Sequence, residues 1–287
     1  MKKVNKMTQR ELHRITRQII QIIFFLWMPA MYTSAFSGVR YVIGQIQAGD
    51  PIEKNGFLVA LIGLCGFTIL FGRFFCGYAC AFGSLGDGMF ALSQWVQKKL
   101  KRKKKLPWFS EKIGRRLQKI KYVLLIALIA IYALGQTKRF QGTSPWEVFS
   151  MLYSGKIPDL TLVIGCVLFG LILVGMCFKE RFFCQYLCPM GAVFSWLPVL
   201  PFSALDRDRT QCITKCRACQ IKCPVDMEIK RDQKNGGECI QCMQCMDICP
   251  KQNIHLASGK KVRGNELIFV ILKAVLLAAV CIAIEKL

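Results

Sequence analysis

Eight cysteines between residues 212 and 250 fall into two closely spaced runs, each ending in a Cys-Pro pair. The second run reads CIQCMQCMDICP and has the C-x2-C-x2-C-x3-C-P spacing of bacterial ferredoxins that hold two [4Fe-4S] cubanes. The first run reads CITKCRACQIKCP and differs by one inserted residue. Three thiolates on a tight loop can bind one side of a cubane, and the fourth must come from a distance. The spacing therefore predicts two [4Fe-4S] clusters.

The fourth cysteine of each run in such pairs ligates the cluster of the other run. This rule predicts that the first cluster is bound by Cys212, Cys216, Cys219 and Cys249, and the second by Cys239, Cys242, Cys245 and Cys223. Zinc ribbons and disulfides are the alternatives. Zinc ribbons use two separated C-x2-C pairs rather than three cysteines in a single short run, and disulfides require an oxidising compartment.

Further cysteines lie in an internal repeat. The sequence RFFCGYACAFG, which begins at Arg73, recurs 108 residues later as RFFCQYLCPMG, which begins at Arg181. The four-residue spacing puts both sulfurs of each copy on one face if the segment is helical. Two such pairs facing each other would form a four-thiolate site, a candidate shared redox or iron site made by Cys76, Cys80, Cys184 and Cys188. Alternatively, duplication alone has retained these cysteines in a buried position.

The composition is that of a membrane protein. Of the 287 residues, 53% are hydrophobic, and the mean hydropathy is +0.36. The net charge of +23 would suggest nucleic acid in a soluble protein, but much of it lies in loops between apolar segments. Residues 73–119 alone hold twelve basic and two acidic side chains. We therefore expect a lipid bilayer as a partner and no nucleic acid.

Five apolar segments are expected to span the bilayer, namely residues 19–36, 57–72, 122–135, 160–178 and 267–284. Arg73 and Lys121 end short segments and are expected to reach the headgroups. Residues 82–96 and 192–205 are expected to lie in the cytoplasmic interface. The positive-inside rule puts the N-terminus, the 73–119 loop and the cysteine-rich region in the cytoplasm, and the C-terminus outside.

The predicted fold is a membrane α-helical one, with about five transmembrane helices in two parallel C-x3-C repeats and an inserted two-[4Fe-4S] ferredoxin-like α+β domain of the bacterial type. The predicted domains are a basic N-terminus (1–18), the first repeat (19–98), a basic linker (99–119), the second repeat (120–205), the ferredoxin-like domain (206–258) and a C-terminal transmembrane helix (266–285). Neither His13 nor His255 lies in a span and no C-x-x-C-H occurs, so no haem is expected.

The two RFFC-x-Y-x-C units, their preceding spans and the ferredoxin-like region together resemble the superfamily of NapH-, NosR- and CcoG-like membrane-bound, ferredoxin-type 4Fe-4S electron-transfer proteins. The resemblance covers roughly residues 10–255. Cys184, Cys188 and Pro189 match the C-x3-C-P motif of the family, whereas Ala81 follows Cys80.

The resemblance implies electron transfer between quinol and a redox partner protein, as a quinol dehydrogenase component of a larger complex in the bacterial cytoplasmic membrane. It leaves two other functions open. One is a metal (copper) reductase or metalloenzyme maturation factor of the CcoG type, and the other is a redox regulator of the NosR type.

Overall fold

The computed structural model describes residues 2–100, 111–135, 143–200, 203–207, 212–213, 216–227, 237–256 and 266–285. Within these ranges the chain is mostly helical. Apolar side chains on the outer faces of several helices stay exposed; Ile126 and Leu171 are each 62% exposed and Val275 is 59% exposed. An apolar outer face of this kind is what a bilayer covers. The structure is therefore compatible with a helical membrane protein.

The first predicted span is broken. Helices α1 (Lys2–Trp27) and α2 (Met31–Ala48) meet at an angle of 61°. Pro29 lies in the break, where it lacks the N–H that a continuous helix needs and disfavours helical geometry in the residue before it. The segment predicted to span over residues 19–36 therefore contains a bend, and it is a candidate for a single broken span.

The next three helices carry the first cysteine motif. Helix α3 (Gly56–Phe71) is followed by the short helix α4 (Phe74–Tyr78) and by α5 (Ala81–Lys99), and the chain bends by 95° after α3. Gly72 has a φ of 69°, which a residue without Cβ adopts readily. The bend turns α5 away from the direction of α3, as expected if residues 82–96 do not form a span of their own.

The second repeat has the same order of elements. Helix α6 (Glu111–Leu117) leads into the second repeat, which is formed by α7 (Ile120–Ala133), α8 (Pro145–Tyr153), α9 (Val163–Phe178), α10 (Phe182–Tyr186) and α11 (Pro189–Trp196). In both repeats a five-residue helix contains the first cysteine, and the second cysteine is the N-cap of the next helix.

The two cysteines of each motif therefore do not lie on one continuous helix. The four-residue spacing thus does not place both sulfurs on one face of a helix. Cys80 and Cys188 are extended, with ψ of 122° and 111°. At Cys188 the cause is Pro189, which disfavours helical geometry in the residue before it.

The ferredoxin-like region consists mainly of turns. Two short helices, α12 (Ala218–Ile221) and α13 (Gln244–Ile248), lie within the two cysteine runs. Strand β1 (Leu205–Arg207) pairs antiparallel with β2 (Ile254–Leu256), and this sheet joins the two ends of the region. Two strands of three residues do not make the expected α+β domain, so that part of the fold prediction is not supported for the residues described. Cysteine loops that must wrap a cluster leave few residues for longer strands.

Helix α14 (Glu266–Glu285) closes the chain and packs against α3. Of the helices described, it alone is long and apolar enough to cross a membrane unbroken, and the number rises to three if α1–α2 and α3 with α4–α5 each count as one bent span. Two shorter apolar helices, α7 and α9, coincide with the remaining predicted spans. All five predicted segments thus coincide with apolar helices, while the number of crossings stays a prediction.

Candidate iron–sulfur sites

The four repeat cysteines lie together where the two repeats meet. Cys80 is within electrostatic range of each of the other three, and all four are buried, with 4–6% of their surface exposed. The members of this repeat-junction site are Cys76, Cys80, Cys184 and Cys188. Tyr32, at the start of α2, covers the site, and its hydroxyl lies 3.5 Å from Cys188 Sγ. The pattern around Tyr32 in the sequence gives no sign of this contact.

Two buried arginines flank these thiols, and each lies near a cysteine of its own repeat and a cysteine of the other repeat. Arg73 is in electrostatic range of its own Cys76 and of Cys188 in the second repeat. Arg181 is likewise in range of its own Cys184 and of Cys80 in the first repeat.

The contact between the repeats is also visible at the glycines that end the two motifs. A Cβ on Gly83 would lie 2.0 Å from Arg181 Nη1, and one on Gly191 would lie 2.8 Å from Arg73 Nη2. Arg73 and Arg181 are each 1% exposed, so the expectation that Arg73 reaches lipid headgroups is wrong.

Each arginine is held by a carboxylate that sequence reasoning missed. Asp87 on α5 accepts hydrogen bonds from Arg181 Nε and Nη2, both at 2.7 Å. Glu238, which precedes Cys239 in the ferredoxin-like region, pairs with Arg73 Nη1 at 3.1 Å and with Lys121. Burial raises the pKa of Glu238, but the opposing effect of Arg73 and Lys121 is greater and lowers it below its usual value.

Lys121 was expected to reach the headgroups, and the structure contradicts this. It is fully buried and directed at Glu238. Asp87 is the single acidic residue between Cys80 and Glu111, which was the available signal for it, whereas Glu238 follows several other acidic residues and had no such signal.

The second cysteine run forms a compact thiol group with one cysteine of the first run. Cys245 is in electrostatic range of Cys242, Cys239 and Cys223. Burial, followed by the neighbouring Cys242, raises the pKa of Cys239 to about 12. A thiolate in this position therefore needs compensation by a metal or by hydrogen-bond donors.

Backbone geometry supplies such donors. Gln241 and Met243 have left-handed φ angles of 56° and 57°, which are uncommon for residues with a side chain. The Gln241 N–H donates to Cys239, and the Gln244 N–H donates to Cys242. Hydrogen bonds to cysteine sulfur are among the factors that tune iron–sulfur centres, so the backbone here fits cluster ligation.

The other four ferredoxin-like cysteines line one cleft. These are Cys212, Cys216, Cys219 and Cys249. Asn253, 4% exposed, lies between two of them: its Nδ2 donates to Cys212 Sγ at 3.3 Å and its Oδ1 lies 2.9 Å from Cys249 Sγ. Arg207 Nη1 donates to Cys219 Sγ at 3.5 Å. The two groups of four are those that the crossed-ligation rule predicts.

The thiol groups form donor sets that suit iron–sulfur clusters. In the described part of the chain, no three His, Cys, Asp or Glu side chains come close enough to hold one metal ion. A cubane spaces its ligands more widely, because each thiolate binds a different iron. Four thiols in each group, with N–H donors or a buried amide at several sulfurs, are a donor set that fits a [4Fe-4S] cluster.

The second cysteine run packs directly on the first repeat motif. A Cβ on Gly77, next to Cys76, would lie 2.2 Å from the carbonyl oxygen of Ile240. Gln241 packs in the same way on Gly72, where a Cβ would lie 3.0 Å from its Nε2. The glycine at position 77 thus lets the backbone between Cys239 and Cys242 approach the repeat-junction site.

An ion pair and a histidine–aspartate contact fix the rest of this interface. Asp226 accepts from Lys179 Nζ at 2.5 Å and from Gln185 Nε2 at 3.0 Å. Asp247 lies 3.1 Å from His13 Nδ1 on α1. Gln185 stands in the second repeat where Gly77 stands in the first, so the ferredoxin-like region contacts the two repeats in different ways.

Comparisons with known proteins indicate an iron–sulfur protein. The family described as "4Fe-4S binding domain" matches residues 56–107 and 161–201, which contain the two C-x3-C motifs. The uncharacterized protein MJ0750 of Methanocaldococcus jannaschii is 31% identical over 88% of this chain and 98% of its own length. Protein NirI of Paracoccus denitrificans is 31% identical over 80% of this chain, but over only 31% of NirI.

Ferredoxin-type protein NapH of Escherichia coli is 26% identical over 67% of this chain and 65% of NapH. No solved structure matches the chain. The extent of these matches, together with the cysteine groups, identifies the protein: the chain belongs to the family of membrane-associated, ferredoxin-type 4Fe-4S electron-transfer proteins that includes NapH, NirI and NosR.

Proposed function

We propose that the protein is a membrane electron-transfer subunit that conducts electrons between a quinol and a redox partner protein, and that its two ferredoxin-like cysteine groups bind the [4Fe-4S] clusters of this path. When bound, such clusters exchange single electrons. Oxidation of a quinol releases two electrons and two protons, so the two electrons would leave one at a time. The burial and the contacts of the cysteine groups give the order of the sites along this path.

The observation that carries the proposal is the graded burial of three cysteine groups in contact with one another. The repeat-junction cysteines are buried and those grouped with Cys239 are buried to an intermediate degree. The third group extends from the buried Cys249 through Cys219 to Cys212 and Cys216, which are exposed. The Gly77–Ile240 contact joins the first group to the second, and electrostatic contact between Cys219 and Cys245 joins the second to the third. A path from an apolar interior to an exposed surface follows from this order.

The exposed end has features that suit a protein partner. Arg217, Lys222 and Lys251 are exposed near the Cys212 cleft, and Ile221 beside them is 77% exposed. Basic side chains around an exposed redox site favour an acidic electron-transfer partner, and such contacts are usually small and sensitive to salt.

Electron paramagnetic resonance (EPR) of the anaerobically purified protein tests the proposal. Menaquinol or ubiquinol analogues should reduce its iron–sulfur signals, and the signals should be lost when the cysteines between residues 212 and 249 are replaced by serine. If neither quinol reduces the clusters while cupric ion or a soluble donor exchanges electrons quickly, the quinol role is wrong and a metal reductase of the CcoG type replaces it. If the redox state of the clusters changes only the binding of a partner, a redox regulator of the NosR type replaces the quinol role.

A further inference from the structure

We propose that the repeat-junction cysteines bind a third, multi-iron iron–sulfur centre, and that Glu238 of the ferredoxin-like region completes its charge balance. The inference rests on the proposed electron-transfer function, because it identifies the buried end of that path. The arrangement of charges around Cys76, Cys80, Cys184 and Cys188 nearly repeats between the two halves of the membrane region.

The first half of this arrangement is a cation–carboxylate–cation group within the membrane repeats. Asp87 bridges Arg181 from the second repeat and Arg17 from α1, each with a nitrogen 2.7 Å from Asp87 Oδ2. Gln21 donates to the same oxygen at 2.7 Å. Arg181 in turn donates to the carbonyl oxygens of Cys76 and Gly77, and therefore holds the first motif from the other repeat.

The second half repeats this pattern with a carboxylate from elsewhere in the chain. Glu238 bridges Arg73 from the first repeat and Lys121 from α7. The Tyr122 hydroxyl donates to Glu238 Oε1 at 2.6 Å, as Gln21 donates to Asp87. In both halves an arginine that follows one apolar helix meets a cation from a different helix on a single carboxylate.

The sequence explains why this carboxylate must come from the ferredoxin-like region. Ser195 lies 108 residues after Asp87, the same offset that relates Arg181 to Arg73, so the second repeat has a serine where the first has aspartate. The loop before Glu238 packs on that serine so closely that a Cβ on Gly237 would lie 1.9 Å from the Ser195 carbonyl oxygen. Tyr122 contacts both Ser195 Oγ, at 2.8 Å, and Glu238. Glu238 thus takes the place of the missing aspartate.

The charges indicate the class of centre. Each group has two cations on one carboxylate, so each carries one positive charge in excess. Four thiolates on an oxidised [4Fe-4S] or [2Fe-2S] core carry two negative charges, which the two groups together balance. Buried charges persist only when compensated in this way. A single ferrous ion with four thiolates has the same charge, but no three of the described thiols are close enough to share one ion.

Metal analysis of the full-length protein, purified anaerobically, is the first test. With a [4Fe-4S] core the protein should contain about twelve iron and twelve acid-labile sulfide, about four of each lost in a Cys184→Ser Cys188→Ser variant. A [2Fe-2S] core would give about ten. About eight iron would overturn the third centre, and about nine iron with eight sulfide would overturn its multi-iron nature. Neither failure touches the proposed function if quinol still reduces the ferredoxin-like clusters.

The second test measures how the reduction potential of the third centre changes with the sign of the charge that is removed. A purely structural role would not make the direction of the shift depend on that sign. Removal of a carboxylate favours the reduced form, which carries one more negative charge. Redox titration followed by EPR should therefore show a higher potential for the third centre in Asp87→Asn and Glu238→Gln, and a lower potential in Arg17→Gln and Lys121→Gln. Glu238→Asp should keep the wild-type potential, and so should Glu53→Gln, which changes an exposed carboxylate elsewhere.

Two results would overturn the role of Glu238. One is a shift, in Glu238→Gln, of only the cluster bound through the adjacent Cys239. The other is a shift of the third centre of the same sign in the carboxylate and cation variants. Asp87→Asn keeps the test decisive if Glu238→Gln does not fold, because it removes the matching charge without touching the ferredoxin-like region.

Discussion

At the residue scale, the cysteine that ends each run is placed with the other run. Cys249 lies in the cleft of Cys212, Cys216 and Cys219, and Cys223 lies with the cysteines around Cys242. Pro224 and Pro250 follow these two cysteines and turn the chain out of each run. The exchange ties the two runs together, so loss of one end cysteine should affect the distant cluster.

This gives a prediction for two single variants. Cys223→Ser should lose about four iron and the EPR signal of the cluster bound through Cys239, while Cys249→Ser should lose the signal of the cluster bound through Cys212. The two signals are distinguished by their accessibility to a water-soluble oxidant, because Cys212 is exposed. Loss of the Cys212 cluster in Cys223→Ser would contradict the crossed assignment. Cys65→Ser, outside all three groups, serves as the control.

At the element scale, the contact between α4 and the second cysteine run depends on one missing side chain. Gly77 is fully enclosed, and a Cβ there would overlap the Ile240 carbonyl oxygen at 2.2 Å. Backbone cannot move aside as a side-chain end can, so the whole loop between Cys239 and Cys242 would have to shift.

We therefore expect Gly77→Ala to destabilise the docking of the ferredoxin-like region by roughly 1–3 kcal/mol. Electron transfer from quinol to the exposed cluster should slow, and proteases should cleave the region more readily. The matched control is Gly88→Ala on α5, where a Cβ would meet nothing within 4 Å and alanine favours the helix by about 1 kcal/mol. If the two variants show the same rate of electron transfer and the same protease cleavage, the close contact between Gly77 and Ile240 has no part in electron transfer.

At the scale of the whole molecule, the order of burial and the position of the charges imply one orientation. The ferredoxin-like region packs on the first cysteine motif, at Gly77 and Arg73. In the sequence, the segments 73–119 and 179–265, which begin at the two cysteine motifs, carry most of the basic residues, and the positive-inside rule predicts that they lie in the cytoplasm.

Reporter fusions test this topology. With five crossings, a reporter fused after Leu287 should be active outside the cytoplasm, and one fused at Gly236 should be active only inside. An activity of the Leu287 fusion in the cytoplasm would mean an even number of crossings. The bent pairs and the short helices α7 and α9 are the segments whose assignment would then change.

The sequence by itself determined the parts that depend on local spacing. Cysteine runs ending in Cys-Pro predict cluster-binding loops because ligand spacing on a short loop is fixed by the chain. The repeated RFFC motif revealed the duplication, and five apolar segments coincide with helices because apolar length is a local property. The break at Pro29 also has a local cause, because proline lacks the N–H that a continuous helix needs.

Only the tertiary structure decided which distant groups meet. Arg73 and Lys121, read from sequence as residues that reach lipid headgroups, are buried because Glu238, more than a hundred residues away, offers them a carboxylate. The sequence around Ser195 does not indicate a role for this residue. The role is seen only in the structure, where Gly237, next to Glu238, packs on Ser195. Charge pairing of this kind is set by distances through space, and a single chain read residue by residue contains no record of them.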